Sequence, residues 1–192
     1  MDDSLSISST SNRQIREIAS LRTRKGRRAH GSFLAEGVRV LEEAARSDFE
    51  PLRVLCLPQA FERPALARAA DSLVNSGARL ISVTPAVMKY ASGMETPPGI
   101  LAQFAAPHPA PLSAADFSGA AVLACRIQDP RNLGLLMRTA AAAGARTLLL
   151  SDHSADPFHP SAVQSSMGAV FHLPLITGVR PEDAGAAARE EG

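Results

Sequence analysis

The segment from Asp129 to Ala145, DPRNLGLLMRTAAAAGA, constrains the fold of this chain more than any other stretch. An apolar run, Ala120 to Ile127, precedes it, and two further runs, Arg146 to Asp152 and Phe171 to Ile176, follow it. A small-residue helix between two such runs predicts a strand–helix–strand unit with parallel strands and a right-handed crossover. The C-terminal part of the chain is therefore expected to contain a parallel sheet covered by helices.

The predicted helix has one face for packing and one for chemistry. Asn132 is expected to cap a helix that begins near Leu133, and Gly144 is the expected stop signal. Gly134 and Arg138 are four residues apart, so they share one helix face, where Arg138 is available for chemistry. The face turned to the sheet is predicted to comprise Leu135, Leu136, Thr139, Ala140 and Ala143.

Changes in composition divide the 192 residues into four parts. Residues 1–11 are a Ser- and Thr-rich lead-in that is expected to be disordered. Residues 12–106 alternate between strand and helix patterns and predict a compact α/β sandwich. Residues 107–119 are rich in Pro, Ala and Ser and are interpreted as a linker, and residues 120–192 form the parallel-sheet unit.

Within the sandwich, Asn12 is expected to cap a first helix, and Pro85 begins a short later one. A further helix is predicted between the second and third strands. The predicted strands are Ser32–Gly37, Pro51–Pro58, Arg79–Thr84 and Ile100–Phe104, and the further helix is Pro64–Asn75.

A basic cluster follows the first predicted helix. Residues 13–28 contain seven basic residues against one acid, Glu17, although the net charge of the chain is only +1. The run RTRKGRRAHG is predicted to end the first helix at Gly26 and to form an exposed loop. Its charge predicts a phosphate-binding surface, and the alternative is a solvated face with no partner. The residues expected to make this contact are Arg22, Arg24, Lys25, Arg27 and Arg28.

Several classes of protein are disfavoured by the sequence. Cys56 and Cys125 lie in apolar runs without metal-ligand spacing, so they are interpreted as reduced core residues, and no metal is expected. The chain lacks a signal-peptide pattern and any run near the ~20 apolar residues that span a bilayer, which predicts a soluble cytoplasmic protein without a membrane partner. No GxGxxG follows a strand, which disfavours a dinucleotide-dependent enzyme. Tyr90 is the only tyrosine and Trp is absent, so no aromatic platform for base stacking is predicted.

Four motifs, in order, resemble the SpoU (TrmH) family of RNA ribose 2′-O-methyltransferases. GSFLAEGVRVLEEA and METPPGILAQF are similar to that family's ribosomal-protein-like RNA substrate-binding domain. IQDPRNLGLLMRTAAAAGA and DPFHPSAVQSSMGAVFHLPL are similar to its first catalytic motif and to the segment after it. The resemblance implies an α/β chain with a SPOUT-type trefoil-knot domain, S-adenosylmethionine as methyl donor, ribosomal RNA as substrate and a homodimer.

The resemblance also implies roles for individual residues. Asn132 and Arg138 match the family's asparagine and arginine, and Gly134 matches the glycine between them, at the substrate RNA. Ser166 and Gly168 match a small pair that lines the active site. The family's arginine is proposed to take the 2′-OH proton, but a guanidinium keeps its proton in proteins, so holding phosphate or ribose is the more physical role. Asn132 is compatible with capping as well, and Ser166 with simple packing.

Two family motifs, a GxExxG-like loop and an SLNVS-like helix, have no counterpart in these 192 residues. They form most of the cofactor pocket and thread the knot in the family. The sequence therefore predicts only the first half of the SPOUT-type domain, an incomplete knot, and weak or no binding of S-adenosylmethionine. An inactive relative that acts as an RNA-binding module is the alternative to an enzyme.

Overall fold

The computed structural model describes residues 6–191, and its internal contacts separate the chain between Ala106 and Pro107 into an N-terminal and a C-terminal unit. The N-terminal unit is built on a mixed four-stranded sheet in the order β1-β4-β2-β3. β4 runs antiparallel to both β1 and β2, whereas β2 and β3 are parallel. The strands are β1 (Ser32–Glu36), β2 (Pro51–Cys56), β3 (Arg79–Ser82) and β4 (Ile100–Ala105).

The helices of this unit begin at residues that suit helix starts. Asn12 caps the first helix by accepting from the Gln14 amide at 2.8 Å, as predicted. Pro64 and Pro85 each occupy the first turn of their helices, where a missing N–H costs nothing. The helices are α1 (Arg13–Ser20), α2 (Arg24–His30), α3 (Val38–Ala44), α4 (Pro64–Asn75) and α5 (Pro85–Ser92).

The core of the N-terminal unit fixes the turn between α1 and α2. Ile15, Ile18 and Leu21 are completely buried and pack in one cluster with Val87 and Met88 of α5. Burial of such a side chain contributes about 1.5–3 kcal/mol each. The chain that follows Leu21 is therefore held against α5 rather than extending into solvent.

Two sequence expectations fail in this unit. The basic run is not a loop: Thr23 accepts a hydrogen bond from the Gly26 amide at 3.0 Å and caps α2, which continues to a left-handed Gly31. Ile7, within the expected disordered lead-in, forms a parallel bridge with Val83 beyond the end of β3. Its amide donates to the Ser82 carbonyl at 2.9 Å, so the edge of the sheet binds it. Residues 1–5 of the predicted lead-in lie outside the described residues.

The C-terminal unit is built on a parallel three-stranded sheet in the order β5-β6-β7, in agreement with the predicted α/β class. The third strand begins at Leu175 instead of Phe171, because Gly168, at φ 96°, opens a 3-10 turn over Ala169–Phe171. The elements are β5 (Ala121–Ala124), α6 (Pro130–Ala142), β6 (Thr147–Ser151), α7 (Pro160–Ser165), β7 (Leu175–Val179) and α8 (Pro181–Glu191).

The segment interpreted as a linker packs on the C-terminal unit. Ala115 is 8% exposed and shares a cluster with Leu149, Ile176 and Val179 of the sheet and Ala184 of α8. Because strand side chains alternate, this cluster covers one face, and the buried Leu148 and Leu150 face the other. Across the described part of the chain, no helix is long and apolar enough to cross a membrane.

Candidate RNA-binding and methyl-transfer site

The start of α6 differs from the predicted start by three residues. Asp129 is the cap, and its Oδ1 accepts a hydrogen bond from the Arg131 amide at 2.7 Å. Pro130 explains the shift, because a proline disfavours helical backbone in the residue before it and is well suited to the first helical position. Asn132 is therefore an exposed residue within the first turn and not a cap.

Gly134 lies where α6 packs against α7. A Cβ atom on this residue would lie 2.4 Å from the Ala162 carbonyl oxygen and 2.6 Å from the Ser165 Cβ. Gly134 is thus a point of close backbone approach and is buried, which argues against the direct RNA contact expected from the sequence. The face that is buried consists of Leu133, Gly134, Met137 and Ala140, so the predicted packing face was also wrong, apart from Ala140.

Outside this buried face, α6 carries an exposed set of three residues spaced three apart: Asn132, Leu135 and Arg138, here called the α6 stripe. Arg138 lies about 40° round the helix from Gly134, so it stands at the border of the buried face. Leu135 is 53% exposed, an unusual degree for a leucine between two polar neighbours. No hydrogen bond or ion pair joins the Arg138 side chain to another of the described residues. The stripe therefore offers an amide, an apolar contact and a cation on one rigid helix.

Ser166 and Gly168, expected to line the active site, have structural roles in the described residues. Ser166 is 1% exposed, and its hydroxyl donates to the Val163 carbonyl at 2.8 Å. Gly168 adopts a left-handed conformation that ends this helical turn. These contacts favour the packing interpretation of Ser166.

The carboxyl ends of β5 and β6 lead into loops that are tied together. The Arg126 amide donates to Ser151 Oγ at 2.9 Å, and Gln128 Nε2 donates to the His153 carbonyl at 2.7 Å. Ligands of open parallel sheets bind at this edge. Ser154 Oγ, in the loop after β6, is buried and makes no hydrogen bond to the described residues.

The other residues at this edge do not fit an adenosyl group by themselves. Cys125, Arg126, Asp152 and His153 are exposed and mostly charged or polar, whereas adenine requires an apolar slot. The described residues therefore do not form a cofactor pocket by themselves. Among them there is also no group of three His, Cys, Asp or Glu side chains that could hold a metal.

The two cysteines differ more than the sequence indicates. Burial raises the pKa of the Cys56 thiol to about 12, as suits a core residue. Cys125, by contrast, is exposed at the end of β5, so the expectation that it is a core residue was wrong. β5 is an edge strand with one side partly open, which the apolar sequence around Cys125 does not reveal.

The basic cluster of the N-terminal unit divides into exposed and buried residues. Arg24, Lys25 and Arg28 are exposed on α2. Arg27 is only 5% exposed, and its Nη1 donates to the carbonyls of Leu21 and Arg22 at 2.9 and 3.1 Å. Arg27 therefore caps the end of α1 and is withdrawn from the expected RNA contacts.

Sequence reasoning missed the partner of Arg22. Its guanidinium carbon lies 5.9 Å from the centre of the Tyr90 ring, within the range of a cation–π contact. The two residues are far apart in the chain, so no local spacing could have indicated the contact. The cap at Asp129 was also missed, although Pro130 is a signal that could have found it.

Fold and site together define a two-unit α/β protein with a basic helical surface in one unit and an exposed arginine on a crossover helix in the other. Residues 12–102 match the MRM3-like substrate binding domain, and residues 119–192 match the SpoU rRNA Methylase family. The two units therefore carry an MRM3-like substrate-binding domain and a SpoU-type methylase domain.

The names of similar proteins agree with the matched domains. The chain is 28% identical over 170 residues to the 23S rRNA (guanosine(2553)-2′-O)-methyltransferase RlmP of Bacillus subtilis. The aligned residues make up 88% of this chain and 64% of RlmP. The chain is 31% identical over 169 residues to mitochondrial rRNA methyltransferase 3 of Mus musculus, covering 84% of this chain and 39% of the relative. The chain thus spans less than two thirds of the length of these relatives.

Solved structures show the same fold. The AdoMet-bound rRNA methyltransferase of Sinorhizobium meliloti superposes with a TM-score of 0.81 at 26% identity, over 96% of this chain and 68% of that one. The SpoU methyltransferase AviRb of Streptomyces viridochromogenes, in complex with AdoMet, superposes with a TM-score of 0.78 at 28% identity. This match covers 94% of this chain and 69% of AviRb. The resemblance to SpoU methyltransferases is confirmed, and S-adenosylmethionine is the cofactor of structural relatives. An inactive binding module finds no support in these names.

Proposed function

We propose that the protein acts in 2′-O-methylation of ribosomal RNA, with the α6 stripe contacting the RNA beside the target ribose. The observation that carries the proposal is Arg138, an exposed cation on a helix whose position is fixed by the close contact of Gly134 with α7. The family match of residues 119–192 and the names of the relatives support the reaction and the class of RNA.

The geometry of the α6 stripe suits a positioning role. Transfer of a methyl group to a ribose hydroxyl is an in-line displacement, which needs alignment of the hydroxyl and removal of its proton. The guanidinium of Arg138 presents several N–H donors in a planar fork that matches phosphate. The Asn132 amide can exchange hydrogen bonds with a ribose hydroxyl, and Leu135 between them gives an apolar contact.

We further propose that the protein is a cytoplasmic homodimer, as the family resemblance implies. Size-exclusion chromatography with light scattering would then give twice the chain mass of 20.2 kDa. A mass that stays at the single-chain value at micromolar concentration would contradict this proposal.

The function is tested by methyl transfer from tritiated S-adenosylmethionine to protein-free ribosomal RNA, using the full gene product that carries this sequence. Methylation of a 2′-OH protects the adjacent linkage from alkali, so the label should appear in alkali-stable dinucleotides. We expect Arg138→Ala to lower the rate by roughly 100-fold, as loss of a charged transition-state contact does. Arg146→Ala is the control, since Arg146 is also exposed but precedes β6, where its Nη1 lies 3.8 Å from Asp116 Oδ2.

Two results would contradict the proposal. Label in any position other than ribose 2′-O would exclude the reaction, and equal effects of Arg138→Ala and Arg146→Ala would exclude the α6 stripe as the RNA contact. Arg138→Lys should recover only part of the rate, because an ammonium lacks the planar fork.

The 192-residue chain alone is predicted to bind S-adenosylmethionine weakly or not at all, because its carboxyl-edge loops carry exposed polar side chains. Isothermal titration calorimetry checks this, with the S. meliloti methyltransferase as the positive control. A dissociation constant in the micromolar range for the chain alone would show that the described residues form a pocket after all.

A further inference from the structure

Arg22 is held in one conformation at the turn between α1 and α2. Its Nε donates to the Ala19 carbonyl at 3.0 Å, and its Cδ and guanidinium lie against Gly93, where a Cβ would approach Arg22 Nη1 to 2.3 Å and Cδ to 2.8 Å. Gly93 ends α5 in a left-handed conformation, so two features favour glycine at this position. The guanidinium is thus oriented before any ligand arrives, and the Nη donors make no hydrogen bond to other described residues.

The Tyr90 ring lies beside this guanidinium, and Met94, which directly follows Gly93 in the chain, is a second exposed apolar side chain. Tyr90 is 39% exposed and Met94 is 40% exposed, although both have buried neighbours in α5 and its C-cap. An aromatic ring that carries an arginine on one side and remains open to solvent is the arrangement on which nucleic-acid bases stack. Arg22, Tyr90 and Met94 are called the Tyr90 platform below.

The charge around the Tyr90 platform favours a polyanion. Arg24 and Lys25 follow Arg22 within three residues and are exposed, as is Arg28 one turn later. The neighbouring acid, Glu95, is paired with Lys89. The surface therefore combines a stacking group with an excess of positive charge, whereas a protein or small apolar ligand would need more buried apolar area.

We propose that the Tyr90 platform binds one unpaired nucleotide of the RNA substrate, with its base on the Tyr90 ring and its phosphate on the Arg22 guanidinium. The inference deepens the proposed function and rests on it, since it names how the N-terminal unit recognises RNA. It also reverses the expectation that a chain with one tyrosine and no tryptophan lacks a stacking platform. Selection for unpaired rather than helical RNA follows, because a base within a helix is already stacked.

The chain provides its own probe for this contact. With one tyrosine and no tryptophan, its intrinsic fluorescence comes from Tyr90 alone. A single-stranded RNA 12-mer should quench this emission on binding, whereas inorganic polyphosphate of similar charge should bind the cations without quenching. Equal quenching by polyphosphate and by RNA would overturn the stacking proposal.

Affinity for a dye-labelled RNA 12-mer, measured by anisotropy, completes the test. We expect Tyr90→Ala to weaken binding roughly five- to one-hundred-fold and Tyr90→Phe to preserve it within about twofold, since the ring is what stacks. Phe61→Ala is the matched control, because Phe61 is 41% exposed and carries no arginine among the described contacts. Equal affinities for Tyr90→Ala and the unaltered chain would refute the proposal.

The experiments distinguish failure of the Tyr90 platform from failure of the proposed methyl-transfer function. Anisotropy that shows RNA binding without tyrosine quenching removes only the Tyr90 platform and leaves the methyl-transfer function intact. Absence of any RNA binding removes the platform and counts against the proposed function as well.

Discussion

Helices α2 and α6 carry the two basic motifs that the sequence singles out, and each contains a glycine at a point of close backbone contact. In α2, a Cβ on Gly26 would lie 2.1 Å from the Ser20 carbonyl oxygen, and the adjacent Arg27 is turned inward. In α6, Gly134 faces α7, and Arg138 lies four residues later on the exposed side.

The difference shows that the glycine, more than the charge, decides which arginine is available. A glycine contact fixes the rotation of its helix, and the side chains around it then point inward or outward by the helical period. In α2 this rotation places one cation of the cluster on the carbonyls that end α1, where it stabilises the fold. In α6, Arg138 lies about 40° round the helix from Gly134, at the border of the buried face, and its side chain is exposed.

The largest expected effect is on stability, from replacing either contact glycine. Gly26→Ala and Gly134→Ala each place a methyl group against backbone atoms that cannot move away as a side chain could. Overpacking costs about 1–3 kcal/mol, occasionally more, and approaches of 2.1 and 2.4 Å to backbone oxygens place these two sites at or above the upper end of that range. Against about 1 kcal/mol gained in helix propensity, we expect a net loss of at least about 2 kcal/mol. Urea unfolding followed by circular dichroism measures it, and Tyr90 fluorescence follows the N-terminal unit separately.

Gly185→Ala is the matched control for these two variants. Gly185 lies within α8, and its Cβ would meet only the flexible end of Arg189, at 3.6 Å. This substitution should stabilise the chain by about 0.5–1 kcal/mol through the better helix propensity of alanine. If all three glycine variants shifted stability in the same direction, close contact would not be the cause.

The next expected effect separates two adjacent arginines of α2. Arg27→Ala removes the donor to two carbonyl groups at the end of α1 and should cost about 1–2 kcal/mol of the free energy of unfolding. Arg28→Ala should change stability by less than about 0.5 kcal/mol but weaken RNA binding and reduce its salt dependence. If Arg28→Ala destabilised the chain as much as Arg27→Ala, the distinction between a capping and a binding arginine would be wrong.

The smallest expected effect concerns pH and Glu36 of β1. Burial raises the pKa of this carboxyl, and the hydrogen bond that it accepts from Ser92 Oγ at 2.7 Å opposes the rise only in part. The folded state therefore binds the proton more tightly than the unfolded state. Stability from this group is complete below the unfolded pKa and is lost as pH rises through the folded pKa.

Glu36→Gln should remove that loss while an amide oxygen still accepts from Ser92. We expect the variant to be more stable than the unaltered chain at neutral pH, with the difference shrinking as pH falls toward 4. Glu62→Gln, at an exposed position, is the control and should show no such trend. A pH-independent difference for Glu36→Gln would mean that packing, not ionisation, is responsible.

Most elements of the fold could be predicted from local pattern. The four predicted strands and the helix Pro64–Asn75 of the N-terminal unit agree with the observed ones within two residues at each end, because alternation and proline starts act locally. The first helix ends at Ser20, six residues before the predicted end at Gly26. The errors lie where tertiary contacts decide. The basic run was predicted to be a loop, but it forms α2 because Gly26 packs on Ser20. Ile7 was predicted to be disordered, but the edge of β3 binds it.

The candidate site was predicted in part. Arg138 is exposed as expected, since its position on α6 follows from spacing alone. Gly134 is buried because it packs against α7, and Arg27 is buried because it binds carbonyl groups at the end of α1. Neither contact could be predicted from the local sequence. The contact between Arg22 and Tyr90 joins two distant turns, and only the packing of α1 on α5 brings them together.

The bridge between Ile7 and Val83 has a practical consequence for cutting the N-terminal unit out of the chain. The MRM3-like domain match begins at residue 12, so a fragment with that boundary would lack Ile7. The Ser82 carbonyl and the Thr84 amide would then lose their partner, at a place where β3 already forms one edge of the sheet. Bare edges recruit other strands, so a fragment starting at Asn12 should associate with copies of itself more readily than one starting before Ile7.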